Sequence, residues 1–488
     1  MTARTLMFQG TGSDVGKSVI VAGLCRVFLN RSHKVLPFKP QNMSNNAAVT
    51  PDGGEIGRAQ ALQAVACKVE PDVHMNPVLL KPQSDVGSQV VVRGKVTDTV
   101  GAEYYRSHRQ ALLETVIESF EILKNRADIV LVEGAGSPAE INLRAGDIAN
   151  MGFATATNTP VVLIGDIDRG GVIASLVGTG SLLAPEEQKL ICGFLINKFR
   201  GDLSLFDEGL KAIEDRTAWP SFGVLPHVPA VRELPAEDAV VLEQSQATGQ
   251  NDILVAVPML SRIANFDDVD PLQAEPDVTV RFIPPGQPLP AEARIVMIPG
   301  TKSTTADMGF MREQGWDIDL LAHNRRGGHV LGICGGYQML GHRIDDPDGV
   351  DGAPMSINGL GLLDVSTTMK PGKTVQQTTA HCPTFDCSAT GYEIHVGLTV
   401  GPDVDQRPFL QVDGRSPGAC SADGTVAGGY MHGLFSDDLF RARYLAPFRG
   451  GVQHQTRYGH RVDEALDVLA EAMEQHLDID ALYKAMSS

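Results

Sequence analysis

TLMFQGTGSDVGKS, residues Thr5 to Ser18, decides how the first half of this chain is read. Thr5–Gln9 is a short run of strand-forming residues, and the segment Ser18–Leu29 carries helical spacing. Between them lies a glycine-rich turn, Gly10 to Ser18. Glycines let backbone N–H groups approach phosphate oxygens, and the start of the following helix adds partial positive charge. In such a loop Lys17 reaches the β- and γ-phosphates of a nucleoside triphosphate, and the Ser18 hydroxyl is a Mg²⁺ ligand. Gly10, Thr11 and Gly16 shape the cradle. The usual spacing puts a glycine five residues before Gly16. Thr11 stands there instead and the glycine is Gly10, so the loop is stretched by one residue.

Working outward, short apolar runs alternate with helical patterns. Candidate strands are Thr5–Gln9, Lys34–Phe38, Asp128–Val132, Val161–Gly165, Gly193–Ile196 and Phe222–Leu225. They are apolar throughout, as strands buried on both faces must be, and the alternation predicts a parallel sheet covered by helices. In such sheets ligands lie outside the carboxyl ends of the strands. Glu133, just past Asp128–Val132, is therefore a Mg²⁺-ligand candidate. Asp168 follows Val161–Gly165 in the same way. Asn197, after Gly193–Ile196, is a candidate for reading the adenine edge of ATP.

The polar stretch Glu243–Asp252 reads as a linker. A second alternating series follows: Ile253–Val257, Val278–Phe282, Ile295–Ile298 and Val330–Ile333. The last runs into Gly332-Ile-Cys334-Gly335-Gly336, a strand, a nucleophile and a helix in succession. Small neighbours permit a sharp, strained turn that presents the thiol, and a helix start favours its thiolate. Gly335 and, upstream, Gly300 in Ile298-Pro-Gly-Thr-Lys302 are candidate oxyanion donors. The matching base is His432, in the glycine-flanked run Gly428-Gly-Tyr-Met-His-Gly-Leu-Phe435. The fold class expected is α/β with two doubly wound domains: residues 1–245 binding nucleotide, residues 251–445 bearing the thiol, and a helical tail over 446–488. In that tail Leu466, Leu469, Ala470, Met473 and Leu477 share one face, which is expected to pack on the second domain.

Composition narrows the partners. The 488 residues allow two to four domains at roughly 150 residues each. With 41 Lys+Arg against 59 Asp+Glu, the net charge of −18 disfavours nucleic acid or anionic lipid as the main partner. Seven scattered Cys do not form a disulfide framework. No signal-peptide pattern and no membrane-length apolar run is read, so the expectation is a cytoplasmic protein with no membrane partner and an unspecified oligomeric state.

These motifs carry a resemblance. The stretched phosphate loop resembles that of dethiobiotin synthetase-like ATPases. Gly-x-Cys-x-Gly with a late His resembles class I glutamine amidotransferases, and the pairing in one chain resembles the cobyrinate-amidating enzymes. Lys39-Pro-Gln-Asn-Met-Ser-Asn-Asn46, Gly57-Arg-Ala-Gln-Ala-Leu62, Met75-Asn-Pro-Val-Leu-Leu-Lys-Pro82 and Gly391-Tyr-Glu-Ile-His395 resemble the branch that makes four amides rather than two. The resemblance implies ATP-dependent amidation of the b, d, e and g carboxylates of adenosylcobyrinate a,c-diamide with ammonia from glutamine. Lys39, Gln41, Asn42 and Arg93, with Lys81 and Lys95, are then candidate corrinoid contacts, and residues 83–109 part of the substrate wall. The a,c-diamide synthase is the near alternative. A non-catalytic ATP switch or partitioning ATPase with an appended binding module is the alternative of another class. One departure stands out: class I domains usually carry an acid two residues after the base, and Leu434 is there. Glu393 and His395 are the candidates to orient His432 in its place, with Glu393 equally a structural or glutamine-contacting group.

Overall fold

The computed structural model describes residues 2–82, 87–235, 253–450 and 456–487. The expected linker Glu243–Asp252 lies outside them, as do residues 83–86 and the side chains of 98–107, including Arg106, in the expected substrate wall. The chain forms two compact units: Met1–Ser44 with Gly54–Pro235 and His460–Ser488, and Asn45–Gly53 with Ala236–Gly459.

In the first unit six parallel strands run in the order Ser221–Pro226, Ile191–Phe199, Val161–Asp166, Arg4–Gly10, Ile129–Glu133, Val35–Phe38. All six expected strands are present, their ends displaced by at most three residues. Their Val, Ile, Leu and Phe side chains are buried on both faces. The strand Arg4–Gly10 lies between Val161–Asp166 and Ile129–Glu133, where the order of the sheet reverses. A crevice forms at such a switch point, and it opens at the phosphate loop. A second, four-stranded sheet holds Gln41–Met43, Val78–Pro82, Gly87–Val92 and Lys95–Gly101. Its strands mix polar with apolar residues, so the apolar-run criterion passed over them.

The C-terminal helix Tyr458–His476 belongs to the first unit, not the second. Its apolar face lies on the helix Lys17–Asn30, where a methyl at Gly23 would stand 2.5 Å from Met473 Cε. The buried Arg26 guanidinium bonds Asp463 at 2.6 Å and Asp467 at 2.7 Å. Periodicity identifies an apolar face but not the surface it meets, and here the mate is the helix that follows the phosphate loop.

The second unit has a six-stranded sheet in the order Val278–Ile283, Ile253–Pro258, Ile295–Ile298, His329–Ile333, Val426–Gly429, Gly418–Cys420, parallel except at the last pair. Alternate residues of Ile253–Pro258 face two apolar cores, Val255 and Val257 one and Leu254 and Ala256 the other. A three-stranded antiparallel sheet, Thr374–Cys382, Cys387–His395 and Met431–His432, carries His432. Among the described residues no helix is long and apolar enough to cross a membrane.

Candidate active sites

At the phosphate loop, Gly16 precedes the helix Lys17–Asn30 with φ +93°, and a methyl on it would lie 2.3 Å from the Asn197 amide nitrogen. Only glycine fits both the left-handed turn and that approach. Asn197 Nδ2 donates to Val15 O at 2.9 Å, and Lys198 also bonds the loop through Asp14 O. Asn197 thus braces the loop from behind in this conformation. Thr11 is tied to the neighbouring strand through N–H and hydroxyl bonds to Ile164 O. Lys17 Nζ donates to Gly12 O at 3.1 Å, so its ammonium curls over the loop where phosphate oxygens would lie.

Ser18 and Glu133, the two Mg²⁺-ligand candidates, come together. The Ser18 hydroxyl donates to Glu133 Oε1 at 2.7 Å. Glu133 is fully buried and is the hub of a polar network. Its Oε1 also accepts from Lys39 Nζ at 2.8 Å, and its Oε2 accepts from Gln63 at 2.7 Å and Gln60 at 3.3 Å. A hydroxyl and a carboxylate side by side are the hard oxygen donors Mg²⁺ prefers. Asp166 ends the adjoining strand and pairs with Lys198 at 2.8 Å. Asp168 is exposed on Arg200, whose hydrogen bond holds its carboxyl below the usual range.

The expected corrinoid contacts fall into different environments. Lys39 is buried on Glu133, at the nucleotide crevice. Asn42 is buried and donates to Gln60 Oε1 at 3.2 Å, while Gln41 is half-buried. Lys81 is buried in an ion pair with Glu55 at 2.8 Å. Arg93 and Gly94 both have positive φ and form the two-residue turn between Gly87–Val92 and Lys95–Gly101. The Arg93 guanidinium bonds Ser119, the Thr115 carbonyl and Glu118, all on the helix Ala102–Lys124. Lys95 is exposed.

In the second unit the nucleophile elbow forms. Cys334 has φ +53° and ψ −110°, a strained conformation held between the strand His329–Ile333 and the helix Gly335–Leu340. A methyl on Gly336 would stand 2.2 Å from Ile298 O, and one on Gly332 2.6 Å from Gly336 O, which explains the glycines two residues either side of the thiol. The thiol donates to Ile394 O at 3.4 Å. Gly300 lies beside both Cys334 and His432: a methyl there would be 3.1 Å from His432 Cε1 and 3.8 Å from Cys334 Cβ. Its turn is tied down by Asp307, which accepts from the Thr301 hydroxyl and from Arg262 N. Gly335 follows the thiol directly at the helix start.

His432 is buried against Cys334 and stacks on Tyr392 with centroids 5.3 Å apart. Its Nδ1 bonds Asp268 Oδ2 at 2.7 Å, and Gly433 N donates to Asp268 Oδ1 at 2.7 Å. Burial alone would push the imidazolium down. The Asp268 carboxylate and the neighbouring sulfur outweigh it and hold His432 up at about 10. The group that orients the His432 ring is therefore Asp268, which the sequence reading missed. Glu393, the candidate named from sequence, is fully buried and engaged elsewhere, by Arg415 at 2.9 and 2.5 Å, by Thr378 and by His395. Burial opposes its charge, yet these donors hold its carboxyl well below the usual range. His395 stacks on Tyr430 at 3.8 Å. Asp268 stands 164 residues before His432 in a run, Asn265-Phe-Asp-Asp-Val-Asp270, with three acids and no spacing rule to choose among them.

A phosphate loop on a parallel sheet and a thiol–imidazole–carboxylate triad on a second sheet define a two-domain class, a nucleotide-binding domain joined to a glutamine amidotransferase domain. Residues 6–241 match the CobQ/CobB/MinD/ParA nucleotide binding domain, and residues 254–440 match the CobB/CobQ-like glutamine amidotransferase domain. The chain is 60% identical to "Cobyric acid synthase" of Brucella suis biovar 1 and 59% identical to the protein of that name from Brucella anthropi, each over 482 residues covering 99% of both chains. It belongs to the cobyric acid synthase family.

Proposed function

We propose that this chain is a carbon–nitrogen ligase of cobalamin biosynthesis that amidates the b, d, e and g carboxylates of adenosylcobyrinate a,c-diamide, using ATP and glutamine. The observation that carries the reading is the Cys334 elbow facing His432, with Asp268 behind it. His432 takes up the Cys334 thiol proton, the sulfur attacks the glutamine amide carbon, and the carbon–nitrogen bond breaks as His432 gives that proton to the departing ammonia. Gly300 and Gly335 are the candidate donors to the oxyanion. Water then cleaves the thioester to glutamate.

A carboxylate is a poor acyl donor, so its oxygen first attacks the γ-phosphorus of ATP, ADP leaves and an acyl phosphate forms. Lys17 stabilises the charge of the transferring phosphoryl group. Ser18 and Glu133 would hold Mg²⁺, which when bound supplies neutralisation of phosphate charge. Ammonia attacks the acyl phosphate and phosphate leaves. Lys39, beside Glu133, is at the reacting end of the crevice, which favours a role with phosphate or the reacting carboxylate over one at a remote edge of the macrocycle.

The test measures both nitrogen sources. Cys334→Ala should abolish glutamine-supported amidation and retain amidation with added ammonium, while Lys17→Ala should lose both. Mass spectrometry of the corrinoid product should count four added amides. Two would assign the a,c-diamide reaction instead, and absence of glutamine hydrolysis by the wild type would favour the non-catalytic ATP switch.

A further inference from the structure

Residues Asn45–Gly53 belong to the amidotransferase unit, although about 200 residues separate them in sequence from the rest of it. The strand Ala47–Val49 is buried and packs on the strands Thr374–Cys382 and Cys387–His395. Gln377 donates its side-chain amide to Val49 O at 3.2 Å. At the head of this strap two buried asparagines clasp each other. Asn265 N donates to Asn46 Oδ1 at 2.7 Å, and Ala47 N donates to Asn265 Oδ1 at 3.1 Å.

Asn265 is at a mechanically important place. It has φ +52°, left-handed for a residue with a side chain, and it precedes the 3-10 turn Phe266–Val269 that carries Asp268. Asp268 N donates back to Asn265 O at 3.3 Å. Asparagine enters this region more readily than other residues with a side chain, and what holds it there is the hydrogen bonding of its surroundings. The clasp supplies that bonding. Its loss lets Asn265 relax toward ordinary backbone angles, which re-aims the carboxylate three residues on.

We infer that Asn46 is a positioning residue of the glutaminase: through Asn265 it fixes the turn that aims Asp268 at His432. The thiol half of the reaction then depends on a residue from the N-terminal quarter of the sequence. The inference rests on the glutaminase reading above, and its test separates the two.

The experiment uses the full-length chain. Asn46→Ala is expected to lower kcat for glutamine hydrolysis about tenfold or more, the loss of one well-placed buried hydrogen bond. KM for glutamine should stay within about threefold. The alkaline limb of the pH profile should move toward acid by about one unit or more, because a displaced carboxylate no longer holds the imidazolium. Asn46→Asp keeps an acceptor for Asn265 N and should recover most of kcat. A limb that stays in place, or a loss that Asn46→Asp does not repair, overturns the inference. Should Asn46→Ala fail to fold, Asn265→Ala removes the other bond of the clasp. The same fall in kcat and acid shift of the limb are expected of it, and an unmoved limb there overturns the inference equally. Wild-type protein that hydrolyses no glutamine ends the functional reading itself, whereas wild-type activity with an unmoved Asn46→Ala profile ends only this inference.

Discussion

Asp268→Asn isolates the charge behind the base. The amide has nearly the same volume and keeps an acceptor oxygen for Gly433 N, which Asp268 now bonds at 2.7 Å. It removes the negative charge bonded to His432 Nδ1 at 2.7 Å. Charge centres about 4 Å apart at an effective dielectric of about 20 interact by roughly 4 kcal/mol, equivalent to about three pKa units. That is the order of effect needed for the carboxylate, helped by the neighbouring sulfur, to overcome burial and hold the imidazole at about 10 against an ordinary 6.5. The sign follows from the proton's role. His432 must be charged to give a proton to the leaving ammonia, so activity persists below the folded pKa and falls as pH rises through it. In the variant, burial has no opposing carboxylate, and the limb should drop to about 6.5 or below. At pH 8 a group with pKa 6.5 is only about 3% protonated, so kcat/KM should fall at least about thirtyfold. Loss of the enforced tautomer would add to this, with about 10⁴ as the ceiling known from serine-protease triads. Glutamate release measured from pH 6 to 11 in wild type and variant decides the matter. A variant within twofold of wild type at pH 8, or one whose alkaline limb stays near 10, would refute the assignment of Asp268.

Glu133→Gln should abolish amidation with either nitrogen source. It also removes the charge of the buried ion pair that Glu133 makes with Lys39, so denaturant unfolding should show a loss of about 3 kcal/mol. A fully active, fully stable variant would remove Glu133 from the nucleotide site. Glu393→Gln should leave the base oriented, keeping the alkaline limb where it is, while destabilising the fold by about 1–3 kcal/mol near neutrality, a range already reduced for the partly exposed Arg415. Because the folded carboxyl titrates well below the unfolded 4.5, its stabilisation is complete above 4.5 and fades as pH falls toward the folded value. Unfolding free energies of wild type and variant should therefore converge in acid, and a gap as large at pH 3.5 as at pH 7 would contradict the account.

Most of the frame was legible in the chain because its signals are local. Apolar runs bounded by turns mark strands of a sheet buried on both faces, and all ten expected central strands appear. The two catalytic turns were legible for a related reason: a backbone that must pass close to phosphate, or fold sharply under a thiol, leaves glycine at fixed offsets, as at Gly16, Gly332 and Gly336. The tail helix shows where local signals stop. Leu466, Leu469 and Met473 announce an apolar stripe, but the helix bearing Gly23 and Arg26 is at the other end of the chain, and only folding shows that the two match.

The residue types and spacings of Gly10–Ser18 and Gly332–Gly336 suffice by themselves to establish two α/β units, one with a phosphate cradle and one with a thiol presented on a sharp turn, because each motif is a stretch of chain whose geometry depends on its own neighbours. Which carboxylate holds the base, and which asparagine holds that carboxylate's turn, depends on contacts spanning 164 and 219 residues. No periodicity links such positions. Asp268 and Glu393 are alike as acids, and packing alone sends one to His432 and the other to Arg415.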